Sequence, residues 1–332
     1  MKAIKDEIWI LADNRPGNYS QAIGLADELG LNHKIVNISY GVFGVLPNLL
    51  LRSTLIGLDK ATKEYLQQFD YFPKIIVAAG RRTAPIALYL KTQSQNRTKI
   101  VQIMNPGIFH EKFDFIILPR HDRIKKSFVN VIRSLGALTK INESAIEYEC
   151  VKFSDLFKGD NKTKIALLVG GDTKKTKFEE KSAVDLIEQS AEIAKNMNAK
   201  LIVLTSRRTG KKISKVLQTE LAKSKCDFAF FDYDLMKKEE NPYLAIIGFS
   251  DYFIATGDSV SMISEVCSTK KPVYIYDDAN MSTKKHKKFH KCLLLENYVR
   301  KLDPKIKFLE KFTTKRLNET KRIALIIKKY LE

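Results

Sequence analysis

Residues Gly257, Asp258, Ser259 and Ser261 lie where a short apolar run, Phe253-Ile-Ala-Thr256, gives way to a helical pattern. Glu265 follows about two turns into that pattern, and a second apolar run, Lys271-Pro-Val-Tyr-Ile-Tyr276, comes after it. The order predicts strand, sharp turn, helix, strand. Amides at a helix N-terminus lack intrahelical acceptors and sit at the positive end of the helix dipole, so those of Ser259, Val260 and Ser261 suit a phosphate. A carboxylate at Glu265 suits the two hydroxyls of a sugar. Two points stay open. Asp258 either repels an anion at the helix start or caps the helix by accepting from amides two or three residues on. Glu265 either faces a ribose or is a solvated helix residue. It is no capping-box partner, because Met262 stands three residues before it.

Arginines echo between the two halves of the chain. Gly80-Arg81-Arg82-Thr83 and Ser206-Arg207-Arg208-Thr209 each follow an apolar run. In open α/β sheets ligands bind where strands end in loops, and the guanidinium fork holds phosphate oxygens two at a time. One such pair reads as solvated helix-start residues. The same tripeptide in both halves favours a ligand, with four guanidinium groups around it if two such edges face across a cleft. Gly170-Gly171-Asp172, after another apolar run, reads as a further ligand-facing turn. The expected donor and phosphate side therefore comprises Gly170, Gly171, Ser206, Arg207 and Arg208, with Thr256, Asp258, Ser259, Ser261 and Glu265.

If such a pocket served transfer of a sugar from a nucleoside diphosphate, a reaction class that the family resemblance given below implies, it would need a clamp on the leaving diphosphate, a holder for the nucleoside and a base for the acceptor hydroxyl. Arginines and helix amides can form the clamp without a metal, because negative charge grows there as the bond breaks. Two bases compete. Asp13 follows the first apolar run, and the loop after it, Asn14-Arg-Pro-Gly-Asn18, can close over a substrate. His121-Asp122 follows another, and imidazole has a suitable pKa. Asp13 is preferred, because Arg15, Gly17 and Gln21 beside it resemble a ligand loop. The bland alternatives are an N-cap or turn at Asp13 and a surface turn at His121. Gly80, Arg81, Arg82, Thr83 and Asn105 complete the expected acceptor side.

Short runs rich in Ile and Val must position these residues. They span 7–12, 34–39, 74–79, 99–104 and 113–118, then 164–169, 200–205, 227–231, 251–256 and 272–276. Runs that are continuously apolar imply burial on both faces, hence parallel sheets covered by helices. Val184, Ile187, Ala191 and Ala194 mark the buried stripe of one such helix. Residues 140–163 are polar and end in Lys158-Gly-Asp-Asn-Lys-Thr163. The chain thus reads as α/β, with two Rossmann-like doubly wound domains facing across a cleft. The first is 1–150 on the acceptor side, then a linker at 151–163. The second is 164–305 on the nucleotide-sugar side, then a helical tail at 306–332 carrying Ile323, Ile326, Ile327 and Tyr330 on one side.

Length and composition, 332 residues with 44% hydrophobic and 29% charged, are those of a globular protein of two domains. A formal net charge of +19 marks either an anionic partner or a lysine-rich composition without function; only Lys284-Lys-His-Lys-Lys288 is a concentrated run. Cys150, Cys226, Cys267 and Cys292 are far apart and read as free, mostly buried thiols of a reducing compartment. The chain enters a strand, Ile8-Trp-Ile-Leu11, almost at once, so no signal peptide is expected, and no apolar run approaches a membrane span. The longest, Gly41 to Leu51, is interrupted by Pro47 and Asn48. It reads first as core and second as a shallow membrane-docking face. The expected location is cytoplasmic, with a peripheral position at the inner face of the membrane.

Several chemistries are disfavoured. There is no G-x-x-x-x-G-K-[ST] and no G-x-G-x-x-G after a strand, and the Y-x-x-x-K spacings Tyr148…Lys152 and Tyr233…Lys237 read as accidents of a lysine-rich chain. His286 and His290 share a helix face without carboxylates nearby in sequence, which argues against a metal. No aromatic-plus-basic reader module accompanies the charge, so nucleic acid is the weakest partner.

Together these residues resemble the mitochondrial fission ELM1-like family, found in plants and many bacteria. The resemblance rests on Asp13 through Ala26, Gly80-Arg-Arg-Thr-Ala-Pro85, Val101-Gln-Ile-Met-Asn-Pro106 and Phe113 through Asp122. In the second half it rests on Gly170-Gly171, Thr205-Ser-Arg-Arg-Thr209, Asn241-Pro-Tyr-Leu244 and Thr256 through Pro272. It implies an architecture like that of GT-B glycosyltransferases, with Ser259…Glu265…Lys271-Pro-Val similar to the nucleotide-sugar segment of lipid-directed enzymes of that class. A nucleoside-diphosphate sugar is then the expected donor, no separate cofactor is expected, and the acceptor is lipid-linked or lies at an anionic membrane surface. In plants the family is tied to mitochondrial division through a dynamin-like GTPase, which implies the alternative of a non-catalytic scaffold. An epimerase label, used for some bacterial members, would sit poorly with the missing dinucleotide fingerprint.

Overall fold

Ile8, Trp9, Ile10 and Leu11 are almost wholly buried, with no alternation along the strand. A strand apolar on both sides needs cover on both faces, and a parallel sheet between helix layers supplies it. The computed structural model describes residues 2–13, 15–124, 126–236, 241–278 and 280–331, and these form two such sheets. Asn14 and Lys237, which figured in the sequence reading, lie outside the described residues.

The first compact unit is Met1–Lys140 with Asn318–Glu332. Its strands are β1 (Ala3–Ala12), β2 (His33–Asn37), β3 (Tyr71–Ala79), β4 (Lys99–Ile103), β5 (Phe115–Pro119) and β6 (Val131–Ser134). They lie in the order β2-β1-β3-β4-β5-β6, with every pair parallel. Its helices are α1 (Pro16–Leu29), α2 (Asn48–Leu51), α3 (Lys60–Gln67) and α4 (Ala84–Gln93). The direction of winding reverses between β1 and β3, so the loops after these two strands flank the crevice where such sheets take ligands.

The second unit is Ile141–Leu317. It holds α5 (Glu143–Lys152), β7 (Lys164–Leu168), α6 (Glu180–Asn196), β8 (Lys200–Leu204), α7 (Gly210–Lys223) and β9 (Phe228–Phe231). It continues with α8 (Tyr243–Phe249), β10 (Tyr252–Thr256), α9 (Val260–Cys267), β11 (Val273–Tyr276), α10 (Lys284–Leu295) and β12 (Arg300–Lys301). The sheet order is β12-β11-β10-β7-β8-β9, again all parallel. Here the reversal falls between β7 and β10, whose loops carry Gly170-Gly171 and Gly257-Asp258.

The α/β class and all ten expected strands are present, and the boundaries differ where tertiary packing decides. β6 and β12 were not anticipated. One is four half-buried edge residues, and the other is only Arg300 and Lys301, too short and polar to show as apolar runs. Residues 141–150 join the second unit because α5 packs on α8, with Gly248 against Cys150 and Ile146. The expected helical tail from 306 is irregular until α11 (Glu319–Leu331) begins. That helix belongs to the first unit, where Ile323, Ala324 and Ile327 join Ile8, Leu25 and Ile75 in one core. Thr139 and Thr320 tie its start, Thr139 N donating to Thr320 Oγ1 at 2.9 Å and Thr320 Oγ1 to Thr139 O at 3.0 Å. Of the four residues expected on one side of that helix, Ile323 and Ile327 are buried while Ile326 and Tyr330 are exposed, and Val184 of α6 is half-exposed.

Gly24 on α1 lets the helix meet the 135–140 segment. A Cβ there would overlap the backbone at Thr139 and Lys140, which cannot swing aside as a side chain would. Gly24→Ala is expected to destabilise the first unit by about 1–3 kcal/mol, despite the better helix propensity of alanine, as measured by urea unfolding. An unchanged midpoint would show that the contact is loose.

Candidate functional site

In the second unit the residues after β7, β8 and β10 converge on one carboxylate. Asp258 is buried, with its side chain 1% exposed. Its Oδ2 accepts from Gly171 N at 3.0 Å and pairs with Arg208 Nη1 at 2.7 Å, and its Oδ1 accepts from Thr256 Oγ1 at 2.6 Å. Thr256 Oγ1 accepts in turn from Gly170 N at 2.7 Å. The two glycines are obligatory. A Cβ on Gly170 would overlap the Asp258 carboxylate, and one on Gly171 the Arg208 carbonyl. Ser206 Oγ donates to Gly170 O at 3.1 Å, and Thr209 Oγ1 donates to Val169 O at 3.1 Å. Gly170, Gly171, Ser206, Arg208, Thr256 and Asp258 thus form one network, while Arg207 is exposed beside it.

The structure shows what Asp258 and Glu265 each contact at the helix start. The cap of α9 is Ser259, whose side chain accepts from Met262 N at 3.4 Å, so Asp258 is not the N-cap. Nor is Asp258 a bare charge, since Arg208 neutralises it. The amides of Val260 and Ser261 open the helix, where no intrahelical acceptor reaches them. Glu265 is half-buried, and Tyr243 Oη donates to its Oε2 at 2.5 Å. Burial, and then the Glu265 charge, hold the Tyr243 hydroxyl well above its ordinary pKa, so it stays a donor. Lys271 serves the fold, its Nζ donating to the carbonyls of Ile247 and Gly248 at the end of α8. Burial lowers the pKa of this ammonium, against the pull of Asp251 and Cys150.

Sequence reasoning missed the floor of this turn. His290 Nε2 lies 2.9 Å from Gly257 O, and its Nδ1 lies 3.3 Å from Asp277 Oδ2. Gly257 has no room for a Cβ, which would meet the His290 ring and Ser282. Burial works to raise the Asp277 carboxyl, and neighbouring His290 and Ser282 outweigh it, leaving it below the ordinary range. The four-residue spacing of His286 and His290 was read only for metals. In fact His286 closes a capping box at α10, its Nδ1 accepting from Thr283 N at 3.4 Å.

In the first unit Asp13, its side chain 1% exposed, accepts from Asn18 Nδ2 at 3.1 and 3.2 Å and from Arg15 N at 3.2 Å. Gly80, with φ of 89°, leaves space for the Asn18 amide that a Cβ would take. Arg82 lies flat on the Tyr40 ring, 3.6 Å from its centre. Burial, and next Asp13, raise the Tyr40 hydroxyl far above its ordinary pKa, against Arg82 and Arg15. So Asp13, Arg15, Gly80 and Arg82 share one electrostatic neighbourhood with Asn18 and Tyr40. Tyr40 carried no signal of its own in the sequence, and Asn18 was read only as the end of a loop.

Other expected residues build the surrounding loops. Thr83 is fully buried and donates to Ala79 O and Gly80 O. Gln21 is buried and donates to Gly17 O within α1. Arg81 is exposed, and its carbonyl accepts from Asn48 Nδ2. Asn105 Oδ1 accepts from Gly107 N at 2.8 Å and faces His110 Nε2 at 2.9 Å. His121 is buried although Arg120 and Arg123 beside it are exposed, and Arg133 holds the turn by donating to Pro119 O and Asp122 O.

The sequence model of the mitochondrial fission ELM1 family matches residues 16–331. The chain belongs to this family. An uncharacterized protein of Rickettsia prowazekii (strain Madrid E) is 32% identical to this ELM1-family chain, over 97% of each. The mitochondrial fission protein ELM1 of Arabidopsis thaliana is 27% identical, over 78% of this chain and 64% of its own length. Among solved structures, a UDP-GlcNAc 2-epimerase from Neisseria meningitidis bound to UDP-GlcNAc has a TM-score of 0.53 at 13% identity, covering 98% of this chain and 92% of that one. MurG of Acinetobacter baumannii has a TM-score of 0.51 at 11% identity, covering 98% and 91%. At such identities the likeness is one of fold. The ELM1-family chain shares the two-sheet α/β fold of GT-B glycosyltransferases and these epimerases.

Two outcomes are expected. Arg208→Ala leaves the Asp258 carboxylate buried without its cation, and is expected to cost about 2–4 kcal/mol in urea unfolding, with a coupling to Asp258→Asn above about 1 kcal/mol. Additive effects would show the pair to be weak. Burial, chiefly, depresses the pKa of His286, with Asp258 opposing and His290, Arg208 and Lys285 adding to the depression. Its neutral ring is the one that caps α10. As pH falls through the ordinary imidazole range the unfolded chain therefore binds a proton that the folded chain resists, and stability falls. His286→Gln is expected to flatten that dependence in urea midpoints; an unaltered slope would remove His286 as its source.

Proposed function

We propose that this protein binds a nucleoside-diphosphate sugar at the switch point of its second unit and transfers the sugar to an acceptor hydroxyl, without a metal. The observation that carries the reading is the convergence at β7, β8 and β10 of two glycines with no room for side chains, a guanidinium beside a buried carboxylate, and the start of α9. In this reading the amides of Val260 and Ser261, with Arg207 and Arg208, meet the charge that grows on the leaving diphosphate. Glu265, oriented by Tyr243, accepts from the ribose hydroxyls. Asp13, oriented by Asn18, is the base, with His121 the other candidate, and Arg15 and Arg82 hold the acceptor. Fold likeness to a structure bound to UDP-GlcNAc supports a nucleotide-sugar ligand. The acceptor is read as lipid-linked and the protein as cytoplasmic and peripheral at the membrane.

One observation favours a second reading. Arg208 and Glu265 are already satisfied by Asp258 and Tyr243, and an Arabidopsis relative is a mitochondrial fission protein. The alternative is a non-catalytic, membrane-associated scaffold that recruits a division partner, such as the dynamin-like GTPase implied for plant members.

Thermal shift against nucleoside diphosphates and their sugars separates the two. A binder is expected to gain about 2–3 kcal/mol at a hundredfold excess over Kd. Arg207→Ala, at an exposed position, is expected to weaken that gain without lowering the melting point of the free protein. Asp13→Asn is expected to abolish turnover and keep the nucleotide shift. No shift with any nucleoside diphosphate at millimolar levels would give the scaffold precedence.

A further inference from the structure

The apolar run from Gly41 to Leu51, in the first unit, was expected first as core and second as a membrane-docking face; it lies in a loop, 41–57, much of which is exposed. Val42 is 82% exposed, Phe43 54%, Val45 80%, Leu49 65%, Leu50 64% and Ile56 50%. The segment is nevertheless a pinned loop. Its base is closed by a bridge between Tyr40 and Leu58 and by Gly41 N donating to Gly57 O at 3.1 Å. Leu51, Leu55 and Leu58 point inward, and Asn48 Nδ2 donates to Arg81 O at 2.6 Å and Pro106 O at 2.8 Å. A loop with its own core that still turns six large apolar side chains of one short segment to solvent is unlike apolar residues scattered singly over a surface.

The setting of that face is cationic. Arg52 ends α2 and is exposed, and Arg81 is exposed beside the Asn48 clamp; Lys60, at the start of α3, is exposed but paired with Glu64 at 3.7 Å. Beneath the one-turn helix Val42–Val45, a Cβ on Gly44 would lie 3.1 Å from Arg82 Nη2. The buried Tyr40 hydroxyl and Arg82 Nε have no hydrogen-bond partner among the described residues. Exposed apolar side chains in a segment that also carries Arg52 and is clamped to the Arg81 carbonyl, on a chain of net charge +19, match a bilayer with anionic headgroups. A neutral protein groove would offer nothing to the cations.

We propose that the 41–57 loop is a docking wedge for an anionic lipid bilayer, seating Val42, Phe43, Val45, Leu49 and Leu50 below the headgroups with Arg82 at headgroup level. The proposal stands without the donor-side reading, for no residue of the second unit enters it, and vesicle binding is read separately from nucleotide-induced stabilisation.

The test is sedimentation of the full chain with vesicles of phosphatidylcholine alone, or with about 30% phosphatidylglycerol, at low salt. Wild type is expected to bind the anionic vesicles at least about tenfold more tightly than the neutral ones. Phe43→Asp with Leu50→Asp is expected to lose at least about tenfold in binding, with an unchanged melting point because both positions are exposed. Leu325→Asp, at another exposed apolar position on α11, is expected to bind as wild type. Wild-type sedimentation by the double variant, equal losses in the Leu325 control, equal binding to neutral vesicles or absent binding each overturn the proposal. So does a solution dimer that the double variant dissociates, since the occupant would then be a second copy.

Discussion

A buried carboxylate needs its charge answered, and Asp258 is answered from three strands at once. The loop after β7 gives an amide, β10 gives a hydroxyl, and the turn after β8 gives a guanidinium. Each donor must come within hydrogen-bond reach, and that requirement removes the side chains from residues 170 and 171. It also fixes Arg208, which would otherwise roam. The start of α9 is thereby held at a set place relative to the sheet edge. An anion arriving there would meet amides and a guanidinium already in position, so little ordering would be left for binding to do.

The repeated Arg-Arg-Thr tripeptide has one division of labour in both units. The threonines, Thr83 and Thr209, are buried and hold strand-end carbonyls. The first arginines, Arg81 and Arg207, are exposed. The second, Arg82 and Arg208, are half-buried and engaged, one on an aromatic ring and the other on a carboxylate. The echo in sequence is therefore partly structural in origin, since a third of it closes the turn. The middle arginine is the part each unit adapts, and the choice of Tyr40 in one and Asp258 in the other gives the two crevices different electrostatics.

Much of the fold was legible because its strands are buried on both faces and so read as unbroken apolar runs. β12 was not, because two residues carry no pattern, and α11 could be seen as a helix but not assigned to a unit. The candidate site was legible where small and charged residues stood directly after strands, as at Gly170, Arg208 and Asp258. It was illegible where the partner came from afar: Tyr243 lies 22 residues from Glu265, and His290 lies 33 from Gly257. Such pairs exist only once the sheet has brought them together. The exposed apolar loop was read first as core for a related reason, since hydrophobicity in sequence does not say which way a side chain turns.

The chain leaves the first unit at residue 140 and returns to it at 318. The second unit is thus an insertion within the first, whose core is incomplete until Ile323, Ala324 and Ile327 arrive. During vectorial synthesis the inserted unit has emerged in full while its host still lacks a helix, so the order of emergence and the order of completion are opposed. A stop a dozen residues early would leave the amino-terminal sheet, not the carboxyl-terminal one, with an open apolar face.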